Sequence, residues 1–176
     1  MMLSRSVWAA NGPTFNAVSL HETMAGADEF RQAVGKEDRD WKFVNEMADL
    51  VEKPPRFSVL DQIIPANTNS GPKPISISVS VSVKLGSIQQ ARELLSKWAT
   101  GAQSRGMTAG LSTQVWGENG PTLIVRTSYD SVATADEARL MLADSDDYRE
   151  FVANLAPHMD GHAKWNLSER IASASV

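Results

Sequence analysis

A chain of 176 residues, with 17 basic and 21 acidic side chains, 42% apolar residues and no cysteine, is long enough to bury a core without disulfide or metal staples. The lack of cysteine excludes thiolate zinc sites, iron–sulfur clusters and a cysteine nucleophile. A net charge of −4 without clustered Lys and Arg argues against nucleic acid as a partner, and no run of about 18 apolar residues or secretory leader stands out, so no membrane partner and a cytoplasmic location are expected.

The first elements in chain order are two strands joined as a hairpin, Leu3 to His21. A helix follows over Ala27 to Val51, bent near Gly35, and then a strand from Phe57 to Ile64. Pro65 to Pro74, PANTNSGPKP, has the composition of a connector. From Ile75 to Val83 apolar and serine residues alternate without exception, which predicts a strand with one buried face. Ser87 and Gln90 form a capping-box pair ahead of Ile88, Ala91, Leu95 and Trp98 at helical spacing, and Gly106 supplies the stop.

Leu111 to Trp116 and Leu123 to Tyr129 read as two strands joined through Asn119-Gly120-Pro121. Thr134 with Glu137 is expected to cap the next helix, Tyr148, Phe151, Val152 and Leu155 form one apolar face before Pro157, and Lys164 to Ile171 is the last strand.

The chain is internally similar. VWAANGPT at Val7 to Thr14 returns as VWGENGPT at Val115 to Thr122, an offset of 108, and about 18 of about 61 positions match at that offset from Leu3/Leu111 to Ile63/Ile171. The fold class expected is therefore α+β: tandem ferredoxin-like (βαββαβ) repeats forming an α+β barrel. Residues 1–64 make a truncated ββαβ repeat lacking its first strand and helix, 65–74 a linker, and 75–176 a complete repeat. Either that strand and helix were lost from a duplicate, or the chain begins at an internal methionine of a longer product. A sheet edge left bare by their absence would suit a second copy, so a homodimer is expected.

The strand–turn–strand unit and the helical run ADEARLMLADSDDYREFV, Ala135 to Val152, resemble the dimeric α+β barrel superfamily, with the closest likeness to NIPSNAP-like domains. The superfamily also holds antibiotic-biosynthesis-type monooxygenases, haem-degrading enzymes and small isomerases. Tyr148 and His158 are similar to the Tyr or His that the monooxygenase branch carries near this helix, and the resemblance marks them as candidate catalytic residues. An Asn-Trp-His haem-binding set is not found, and no cofactor is implied.

By strand alternation, Ser76, Ser78, Ser80, Ser82, Ser112, Gln114 and Trp116 share one face, with Ser4, Ser6 and Trp8 from the first segment. Small hydroxyls beside indoles fill space poorly, so two such faces curled together would enclose a partly polar cavity. Trp8, Trp116, Ser78, Ser80 and Gln114 are the candidate ligand-binding residues for a small organic molecule, although the same residues could instead form a solvated stripe with a cross-strand anchor.

His158 and His162 with Asp160 have the spacing of a metal trio, but Pro157 and Gly161 interrupt any helix there, and no metal site is expected. His21, matched by Tyr129 at the offset, reads as wall packing or a ligand contact, packing being the commoner role of such a ring. Two functions follow: a small-ligand-binding or interaction protein, or a cofactor-independent monooxygenase or isomerase acting on an aromatic or polyketide-like molecule.

Overall fold

The computed structural model describes residues 2–8, 14–33, 46, 58–67, 71, 73–116 and 120–173. Seven strands and four α-helices lie among them. They are β1 Met2–Trp8, β2 Phe15–Val18, α1 Met24–Ala33, β3 Val59–Ile64, β4 Ile75–Ser82, α2 Ile88–Ser104, β5 Thr108–Trp116, β6 Thr122–Tyr129, α3 Val132–Asp144, α4 Asp146–Leu155 and β7 Lys164–Ser173. The continuation of the first helix beyond Ala33 expected from the sequence, with its bend near Gly35, lies outside the described residues.

All seven strands belong to one antiparallel sheet in the order β2-β1-β7-β4-β6-β5-β3. Its four central strands with α2 and α3 are the ferredoxin-like unit, and the sheet curls into a half-barrel of the α+β barrel type. The strict alternation of β4 divides its two faces. Val81 and Val83 pack with Leu111, Leu123, Val125, the α2 residues Ala91, Leu95 and Ala99, and Leu155 of α4. Ile75 packs with Leu167 and with Ala135 of α3. The helices that close these two clusters lie on the apolar, convex face, and the serines of β4 point the other way.

Local chemistry sets the element ends, with two departures from expectation. The cap of α3 is Ser131, whose hydroxyl accepts from the Thr134 backbone N–H while the Thr134 hydroxyl accepts from the Ser131 N–H. Thr134 thus sits inside the first turn, because the helix starts at Val132 and a hydroxyl three residues before it already satisfies the orphan donor. Ser87 precedes α2 but makes no side-chain cap, since a 3₁₀ turn at Leu85–Ser87 leads directly into the helix. Gly106 does end α2, at φ +81, and Gly120 takes φ +67 at the β5–β6 turn. Ser145 separates α3 from α4 and caps the latter by accepting from the Tyr148 N–H.

The two flanking ladders have one geometry. Shifted by the offset of 108 seen in the sequence, the β1–β7 pairs Leu3–Ala172, Ser4–Arg170, Arg5–Glu169, Ser6–Ser168 and Trp8–Leu167 become the β5–β3 pairs Leu111–Ile64, Ser112–Gln62, Thr113–Asp61, Gln114–Leu60 and Trp116–Val59. The register shifts fall at the same places in both. The sheet is open between β2 and β3, its two edge strands, both contributed by residues before the connector.

Candidate functional site

The concave face is polar and partly buried. Of the six polar residues that are buried among those described, five face it: Ser4, Ser6, Thr108, Thr122 and Ser168. Thr127 alone lies on the helix side, opposite Ile77. The serines of β4, from Ser76 to Ser82, are half-buried.

Register arranges this face in rows. One row runs through Ser6, Ser168, Ser76, Ser128 and Thr108 across five adjacent strands, a belt of hydroxyls. Within it the Ser76 and Ser128 hydroxyls are 3.2 Å apart and Ser168 donates to the Ser76 carbonyl at 3.4 Å. The next row holds Asn166, Ser78, Arg126 and Gly110, and the one after it Lys164, Ser80, Ile124 and Ser112. On the opposite side of the belt Arg170 stands beside Ser4. A side chain at Gly110 would be crowded, because an added Cβ would meet the Ala66 backbone nitrogen at 3.1 Å and the Ile64 carbonyl oxygen at 3.2 Å.

Ser78, Ser80 and Gln114 therefore all occupy positions on the concave face. The backbones of Trp8 and Trp116 lie in β1 and β5 beside Leu167 and Val59; their indoles fall outside the described residues. Tyr148 is not brought to this face. It sits on α4 with its ring 6.1 Å from Phe151, which in turn lies 6.1 Å from Trp98 of α2, all on the helix side of the sheet. Partial burial raises the Tyr148 phenol above its ordinary value through desolvation.

His158 lies in the 3₁₀ turn Ala156–His158 after α4. Its carbonyl accepts from the Lys84 N–H at 3.0 Å, which ties the turn to the end of β4 beside Ser82. Among the described residues no three acidic or histidine side chains gather in a metal-binding group, His158 and His162 included. His21 packs its ring 5.1 Å from Phe30 and meets the Ser19 hydroxyl at 2.9 Å.

Three residues of the concave face escape a reading of strand patterns alone: Arg126, Arg170 and Asn166. The Asn166 Oδ1 and Arg170 Nε atoms are buried without a hydrogen-bond partner. Burial also pulls the Arg126 guanidinium below its ordinary value by desolvation. The available signal is an arginine placed mid-strand between residues of the opposite face, as Arg126 is between Val125 and Thr127.

No family model matches the chain, and no curated protein matches it. Among solved structures the chain is similar to a "putative monooxygenase" from Fusobacterium nucleatum, with a TM-score of 0.69 at 10% identity over 97% of this chain and 75% of that one. It is also similar to an anthrone oxidase-like protein, with a TM-score of 0.67 at 12% identity over 97% of this chain and 76% of that one. A "putative monooxygenase" from Lactobacillus acidophilus aligns at a TM-score of 0.51 and 16% identity, over 84% and 66% of the respective chains. At these identities the likeness is one of fold, and the fold shared is an α+β barrel.

Proposed function

We propose that the protein binds a small organic molecule on the concave face of its sheet. One observation carries this reading: the buried hydroxyls are concentrated on the side of the sheet away from the helix-packed core. A face meant only for packing would carry apolar side chains there, as the convex face does. The register shared by the two flanking ladders supports a duplicated origin for the two segments, one kept whole and one shortened, and the likeness to NIPSNAP-like domains belongs to the same reading. A homodimer formed over the open edges β2 and β3 is part of this proposal, and light scattering that finds a dilution-resistant monomer near 19.2 kDa would remove it.

Amide chemical shifts during titration with small aromatic compounds test the site. Shifts confined to Ser76–Ser82, Ser112–Gln114 and Asn166–Ser168, and abolished by Ser78→Phe, are expected. Shifts confined to the helices, or none, contradict it.

A second reading, cofactor-independent oxidation, is favoured by the names that two of the structural neighbours carry and by the anthrone oxidase-like name of the third. Anthrone can supply the electrons itself: anthrone and dioxygen give anthraquinone and water, with two hydrogens leaving the substrate and one oxygen entering it. Oxygen uptake with anthrone, compared among the wild type, Tyr148→Phe and His158→Ala, tests it. Turnover lost in either variant supports a catalytic part for that residue, and no uptake by the wild type leaves the binding reading alone.

A further inference from the structure

We infer that the concave face selects an organic acid that also carries a hydroxyl, its carboxylate held by Arg126 or Arg170 and its hydroxyl donating to Asn166. This rests on the binding reading above and names the class of ligand that the site takes.

The inference comes from the charge and hydrogen-bond inventory of the face. Arg126 and Arg170 lie two strands and four residues apart, so their backbones are separated by roughly 10 Å across the sheet and about 13 Å along it. The belt of hydroxyls runs between them. Neither guanidinium makes a hydrogen bond or ion pair with a described residue. The acidic side chains among the described strand residues are Asp61 and Glu169. Both face the convex side, Asp61 beside Thr113 and Glu169 bonded to Arg5 at 2.8 Å. Among the described strand residues, the concave face therefore holds two guanidiniums, with Lys164 exposed at its rim, and no carboxylate.

A guanidinium does not lose its proton to escape burial, as a lysine or histidine can. An unpaired charge that is half-buried carries part of the cost of burial, and an entering anion removes that cost while gaining charge-assisted, planar hydrogen bonds. A carboxylate matches the fork of an arginine. Asn166 Oδ1 is an acceptor with no donor, so it selects a ligand that brings an O–H along with the acid. The serines between them donate or accept as required, and they suit the polar body of such a molecule.

Salicylate, benzoate, salicylamide and inorganic phosphate are the probes, added to the full chain and followed by calorimetry and by amide chemical shifts. Salicylate is expected to bind at least tenfold more tightly than salicylamide, and more tightly than benzoate. Arg170→Met or Arg126→Met is expected to remove the preference for the acid, and Asn166→Leu the preference for salicylate over benzoate. The comparison of probes on the wild type needs no variant to fold.

Salicylamide binding as tightly as salicylate at the same amides overturns the acid preference and leaves the binding face intact. Phosphate competing as well as salicylate reduces the site to one for any anion and overturns the hydroxy-acid class. No shift at Ser76–Ser82 with any probe overturns both this inference and the reading on which it rests.

Discussion

The two seams that join the shorter segment to the ferredoxin-like unit share one register and differ in what they enclose. At the β1–β7 seam Ser4, Ser6 and Ser168 are 7%, 6% and 9% exposed, and Arg170 is half-buried with its Nε atom buried and unpaired. At the β3–β5 seam the corresponding residues are Ser112, Gln114 and Leu60, with Gln62 in place of Arg170; Leu60 is 39% exposed and Gln62 is exposed as well. Backbone pairing is thus the same on both sides while the side chains make one seam closed and charged and the other open and neutral. The chemistry of the face comes from that asymmetry, since a symmetric barrel would present arginine at both places or at neither.

The comparison can be broken most forcefully in the core. Leu3 and Leu111 correspond under the offset, but Leu111 is 0% exposed and Leu3 37%. Leu111→Ala is expected to cost about 3 kcal/mol in urea unfolding, and Leu3→Ala about 1 kcal/mol or less. Equal costs would mean that the two halves are packed alike.

A smaller effect of opposite sign sharpens the contrast between seams. Arg170→Met removes a half-buried charge whose Nε is unpaired and is expected to stabilise the ligand-free protein by about 1 kcal/mol, while Gln62→Met changes stability by about 0.5 kcal/mol or less. Thermal melts of the two variants check this, and destabilisation by Arg170→Met would show that the guanidinium has found a partner.

Tyr148 belongs to the helix layer and titrates accordingly. Its folded phenol is raised by burial above an unfolded value of about 10, so its contribution to stability is complete below about pH 10 and is lost as pH rises through the folded value. Tyr148→Phe is expected to flatten the alkaline fall in stability, and an unchanged slope would place the phenol in solvent. The smallest effect belongs to the outer side of the closed seam, where Arg5 and Glu169 form an exposed ion pair at 2.8 Å. Glu169→Gln is expected to cost about 0.5 kcal/mol or less, with the loss vanishing at high salt.

Much of this architecture can be read from residue patterns. The alternation over Ile75–Val83 assigns both faces of β4 unaided, and the repeated VW…NGPT segments place β1 and β5 at corresponding positions. The serines and Gln114 fall on the predicted side because side-chain direction follows from a period of two. The arginine pair is not legible in the same way. Arg126 and Arg170 are far apart in the chain, and only the register of β6 and β7 against β4 sets them on either side of one hydroxyl belt. Pairing partners depend on long-range topology, which local composition does not encode. The layer that Tyr148 occupies is illegible for a related reason: helical spacing shows that it shares a stripe with Phe151, but not which side of the sheet that stripe covers.

The absence of native cysteine allows the central claim to be tested with a single introduced thiol. Ser78→Cys, treated with a small methanethiosulfonate reagent, is expected to react more slowly than a cysteine placed at the exposed α3 residue Met141, and salicylate is expected to slow it further without affecting the Met141→Cys control. Equal labelling at the two positions, unaltered by salicylate, would contradict the account.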